Sequence, residues 1–102
     1  MTDTDFKIPT KSKSKTLVQE PGLYHVIYIN DDVTTQEFVI ETLVVIFNYS
    51  HLDAAELTEK IHQDGSAVVA TMPYEMAEQK GIEVSLLARN HGFPLSVKIE
   101  AA

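Results

Sequence analysis

Asn30, Asp31 and Asp32 stand together where the apolar run "LYHVIYI" (23–29) gives way to "VTTQEF". Residues of these types do one of two things at such a point. Asn and Asp bond their own backbone and accept tight dihedral angles, so the trio can simply be a turn. Alternatively, an amide oxygen and two carboxylates, all hydrogen-bond acceptors, gather round something cationic. His62 offers the other chemically useful group, and Thr58, Ile61 and His62 fall on neighbouring turns of one helical face. His25, His51 and His91 have no spacing that groups them. An acid–base pair of Asp31 and His62 lacks a nucleophile, a Gly-rich loop or a metal set, so the chain reads as a non-enzyme without a cofactor. A metal held by Asp31, Asp32 and His62 is the lesser variant of the cation reading.

These residues must be positioned by one small domain, since 102 residues with 44% hydrophobic content give one core and no room for a second. The absence of cysteine excludes a disulfide framework and thiolate zinc sites, and it accords with a cytoplasmic protein. No signal-peptide h-region and no run of about 20 apolar residues is present, so no membrane role is expected. Residues 1–22 carry Lys7, Lys11, Lys13 and Lys15 against Asp3, Asp5 and Glu20, a balance of +1. The rest of the chain therefore holds −8 of the net −7. So acidic a folded part argues against nucleic acid, which wants a basic face. The tail itself reads as a disordered extension over 1–22, with the folded domain over 23–102.

Within the domain, "LYHVIYI" is β-branched and aromatic, apolar on both faces, and reads as a central strand. Thr34 with Glu37 fits the S/T-x-x-E capping box, which starts a helix over 35–49. Its i, i+4 pairs Val39/Leu43 and Leu43/Phe47 favour helix over strand. Ser50 with Asp53 starts a second helix over 51–64, stopped by Gly65. "SAVVATM" (66–72) is a strand. Pro73 opens a third helix over 74–90 that ends near Gly92, with Gly81 inside it at a cost of about 1 kcal/mol relative to Ala. "PLSVKIEA" (94–101) alternates as a last strand. The expected fold class is α+β in the order βααβαβ: a small three-stranded antiparallel sheet covered on one face by three helices.

From Tyr24 to about Glu100 the chain resembles the ClpS family, adaptors of the bacterial Clp ATP-dependent protease that recognise N-terminal degradation signals. The resemblance is carried by "VIYINDD", Thr34, "EFVI" (37–40), His62 with "GSAVV" after it, "YEMAEQKG" and "ARNHGFPL". It implies that Asn30, Asp31 and His62 hold the free α-amino group of a substrate. The chemistry is sensible, because an α-amine is mostly ammonium at neutral pH and offers three donors to an amide oxygen, a carboxylate and a neutral imidazole. The resemblance assigns the pocket for the first side chain to Ile29, Asp32 (mainly through its backbone), Thr34, Gln36, Val39, Thr58, Ile61 and Leu95. It implies N-degron partners beginning with Phe, Tyr, Trp or Leu, and a Clp AAA+ unfoldase (ClpA-like or ClpC-like) whose N-terminal domain meets Glu75 and Lys80. The tail resembles the family's N-terminal extension, used when substrate is handed over.

Two of these pocket positions, Gln36 and Thr58, depart from the family's usual pattern. Members commonly have Thr-Pro-Met where this chain has Thr34-Thr35-Gln36, and Met where it has Thr58. Met is a soft gap-filler, so its loss bears on the breadth of specificity. The other reading left by the fold is a non-catalytic interaction domain like the C-terminal domain of the ribosomal stalk protein, without N-degron binding. Fold alone does not choose between them.

Overall fold

A computed structural model of the chain describes residues 22–102; the expected N-terminal extension over 1–22 lies, except for Gly22, outside the described residues. The elements run β1 (Leu23–Ile29), α1 (Gln36–Phe47), α2 (His51–Asp64), β2 (Ser66–Pro73), α3 (Tyr74–Asn90) and β3 (Ser96–Ala101). The sheet order is β2-β1-β3 with both pairings antiparallel. The strand apolar on both faces is thus the central one. The α+β reading and the βααβαβ order hold throughout.

Alternation along β1 sends Tyr24, Val26 and Tyr28 toward the helices and His25, Ile27 and Ile29 to the other face. Val26 and Tyr28 are fully buried and join Leu43, Ala54, Ile61, Val84 and Ala88 in one core. The β1–β2 register slips between Val26 and Ile27, which pair with Ala70 and Val68 and leave Val69 as the extra residue of a bulge. Val69 turns into the core, and its carbonyl accepts the Tyr49 hydroxyl, which restores a partner the bulge took away.

Helix boundaries follow from caps. Thr35, not Thr34, caps α1: it is extended (φ −72°, ψ 150°) and its Oγ1 accepts from Phe38 N–H at 3.2 Å. The capping box at Thr34 and Glu37 does not form, because the Thr34 hydroxyl is engaged by Asp31. At the other end Asn48 adopts φ 63°, a left-handed conformation Asn tolerates, and Tyr49 N–H reaches back to Leu43 O at 3.1 Å. The helix therefore stops at Phe47 instead of running to Tyr49. Ser50 caps α2 as expected, its Oγ accepting from Asp53 N–H at 3.1 Å. Pro94 has no N–H to give a ladder, and β3 starts at Ser96 rather than at residue 94.

Gly81, buried inside α3, faces β3 across ordinary contact distance. A Cβ there would lie 3.4 Å from Ile99 Cδ1 and 3.6 Å from Val97 Cγ1, so the helix rides close on β3. At the start of α1, Phe38 packs against Phe93 and His91, with ring centroids 5.0 and 5.1 Å apart. That cluster fixes the N-terminal end of α1 against the loop leaving α3.

Candidate functional site

A cleft of about 200 Å³ opens where the end of β1, the start of α1 and the second half of α2 meet. Its lining is Asn30, Asp31, Asp32, Thr34, Gln36, Val39, Thr58, Ile61 and His62. One backbone bond fastens these segments: Asn30 N–H donates to Gly65 O at 2.8 Å. Gly65 ends α2 with φ 89°, and its own N–H returns to Ile61 O at 3.0 Å. The loop after β1 is thereby tied to the turn that carries Ile61 and His62. Space for a Cβ exists at Gly65, so its φ alone restricts the position to glycine.

Asp31 organises the loop. Its Oδ1 accepts from Val33 N–H at 2.8 Å and Thr34 N–H at 2.7 Å, and its Oδ2 accepts from the Thr34 hydroxyl at 2.8 Å. Partial burial pushes the carboxyl upward, but the bonds from Thr34 N–H, the Thr34 hydroxyl and Val33 N–H outweigh it and hold Asp31 below its ordinary value. It is an anion at neutral pH. A carboxylate has about four lone-pair positions, and three are used, which leaves Oδ2 able to accept one more bond. The turn and the cation site, alternatives in the sequence, are thus compatible in one residue.

Val39 and Ile61, both buried, form the apolar wall, and Thr58 is buried beside them. Asn30, Asp31 and Thr34 are half-buried, while Asp32, Gln36 and His62 are exposed. Two expected residues are placed elsewhere. Ile29 follows the β1 alternation onto the sheet's outer face, between Ser66 and Ser96. Leu95, 7% exposed, belongs to the hydrophobic core and is not part of the lining. Sequence reasoning missed the Gly65 carbonyl, which the sequence marks only as a helix stop, and the cap shift to Thr35.

Chemically, the cleft sets acceptors on Asn30, Asp31 and His62 beside a short apolar wall. Its volume falls below the ~300–1,000 Å³ of drug and cofactor sites and suits one side chain. Among the described residues, no three His, Asp or Glu side chains converge as metal ligands. No described helix is long and apolar enough to cross a membrane. The two residues expected at a partner interface lie on α3. Glu75 is exposed in its first turn, and Lys80 is half-buried at the edge of a second recess of about 450 Å³ with Phe47, Met72 and Met76.

Fold and cleft together define a small α+β binding domain. The chain belongs to the ClpS family: the family described as "ATP-dependent Clp protease adaptor protein ClpS" matches residues 19–98. It is 39% identical over 97 residues to the ATP-dependent Clp protease adapter protein ClpS of Wolinella succinogenes, covering 95% of this chain and 93% of that one. The ClpS of Clostridium acetobutylicum is 40% identical over 94 residues, covering 92% and 91%. Among solved structures, Agrobacterium tumefaciens ClpS2 bound to L-phenylalaninamide is similar with a TM-score of 0.79 and 36% identity, over 81% of this chain and all of that one.

Proposed function

We propose that this chain is a cytoplasmic N-degron adaptor, which binds the free α-amino group and the bulky first side chain of a substrate and delivers it to a Clp AAA+ unfoldase. The observation that carries the reading is the single cleft in which Asn30, Asp31 and His62 border the apolar wall of Val39 and Ile61. An N-terminal ammonium gives three donors to these acceptors. At roughly 1.5–3 kcal/mol per charge-assisted bond, the free terminus is separated from an internal residue by orders of magnitude. The relative with L-phenylalaninamide bound supports the reading, since that ligand is one amino acid with a free amine and an aromatic side chain.

Thr58, where the family commonly has Met, leaves a recessed wall that flat rings fill better than a branched aliphatic does, while Gln36 keeps the length of Met but brings an amide that must stay hydrated or find a partner. Phe, Tyr and Trp are expected above Leu by about 1 kcal/mol, and Thr58→Met recovers Leu selectively. The unfoldase contact is assigned to Glu75 and Lys80 on α3. The test is a binding screen of peptides that differ only at residue one, each with an acetylated control. Ranking by the bulk of residue one, with controls silent, supports the adaptor reading. Affinity indifferent to residue one refutes it.

A further inference from the structure

Thr42 and Thr58 are the buried polar residues of the described core. The fold treats them differently. Thr42 Oγ1 donates to Val39 O at 2.8 Å and accepts from the Tyr28 phenol at 2.8 Å. Thr58 is 2% exposed, and its Oγ1 has no hydrogen-bond partner among the described residues. Helical threonines commonly settle this by bonding back to a carbonyl one turn earlier, and Thr58 does not. It keeps the desolvation penalty of an unpaired hydroxyl, and it keeps it in the wall of the cleft.

We propose that Thr58 reads the first residue of the ligand, and that the cleft takes an N-terminal Tyr in preference to Phe by pairing the phenol with Thr58 Oγ1. The inference rests on the N-degron reading above. Its chemistry is already present in the core, where Tyr28 and Thr42 make the same phenol–threonine bond. Thr58 lies one helical turn before His62, with Cβ atoms roughly 5–6 Å apart on the same face, so both residues border the one cleft. A helical threonine populates two χ1 rotamers, and pairing with the ligand requires the Thr58 hydroxyl to turn to it by a χ1 rotation, with no backbone movement. A threonine hydroxyl both donates and accepts, so it pairs with a phenol in either sense. A Phe ring seals the same wall from water but offers no partner, and the penalty persists.

The experiment is calorimetric titration of three peptides identical after residue one, beginning with Tyr, Phe or Nα-acetyl-Tyr. Each is titrated into the full chain, Thr58→Val and Thr58→Ser. The parent is expected to bind Tyr on the order of tenfold tighter than Phe. Thr58→Val replaces an unpaired hydroxyl with a methyl of the same shape, so it melts at or above the parent temperature, and it brings the Tyr/Phe ratio to one or below by weakening Tyr and leaving Phe unchanged. Thr58→Ser keeps the hydroxyl and the preference. A ratio near one in the parent, or a ratio unmoved by Thr58→Val, overturns the proposal while amine-dependent binding leaves the N-degron reading standing. Equal binding of the acetylated peptide removes both.

Discussion

Asp31 holds its own loop with three hydrogen bonds, from Val33 N–H, Thr34 N–H and the Thr34 hydroxyl, and retains one acceptor position on Oδ2. Two substitutions separate these roles. Asp31→Asn keeps an oxygen for the backbone donors but removes the charge, so peptide affinity falls tenfold or more while the fold persists. Asp31→Ala loses both, and it also lowers stability by roughly 1–2 kcal/mol in denaturant titration. Equal affinity of Asp31→Asn and the parent removes Asp31 from the amine site. Acid stability gives a second view. Because the folded value is held below the ordinary 3.8, the stabilisation from Asp31 is present above that pH and is lost as pH falls through the folded value. Asp31→Asn should therefore flatten the acid limb of a melting-temperature profile below about pH 4, and an unchanged limb contradicts the bonding seen here. His62 is exposed, so His62→Ala should weaken peptide binding by roughly tenfold and leave the melting temperature alone.

At the scale of elements, caps and close approaches set where chemistry is presented. Thr35→Ala removes the α1 cap and should cost about 1 kcal/mol in unfolding free energy, whereas Thr34→Ala acts through the Asp31 loop. Gly81→Ala should be neutral or stabilising by up to about 1 kcal/mol, since the added methyl meets only the ends of Ile99 and Val97 at ordinary contact distance. A loss above that amount means α3 is seated on β3 more tightly. The elements themselves were legible because "LYHVIYI" has no helical period, and Ser50, Gly65 and Gly92 punctuate at the right places. What escaped the sequence were contests between neighbours. Thr34 and Thr35 are both plausible caps, and Asp31 settles the matter by taking the Thr34 hydroxyl. The residues gathered in the cleft were named through the family resemblance. The bond from Asn30 to Gly65, which gathers them, joins backbone groups that carry no side-chain signature. Ile29 and Leu95 show the same limit: alternation and core packing, decided in three dimensions, take them out of the lining.

Across the whole molecule, the cleft sits at the first turn of α1 and the recess edged by Lys80 at its last, about 18 Å apart along a twelve-residue helix. On the proposed function, substrate and unfoldase are then held at once without competing for the same residues. Glu75→Ala or Lys80→Ala should weaken docking to the unfoldase several-fold without changing peptide affinity, since sites this far apart act additively. Truncation of residues 1–22 should likewise spare peptide affinity but impair degradation of a tethered substrate; lost peptide binding would put part of the site in the tail. The central claim is that the cleft holds a free N-terminal ammonium beside a bulky side chain. The most direct measurement is the affinity of one peptide beginning with an aromatic residue, compared with the same peptide acetylated at its α-amine. The account predicts that acetylation lowers affinity at least a hundredfold, the scale of losing more than one charge-assisted bond. Comparable affinity for the two peptides would contradict it.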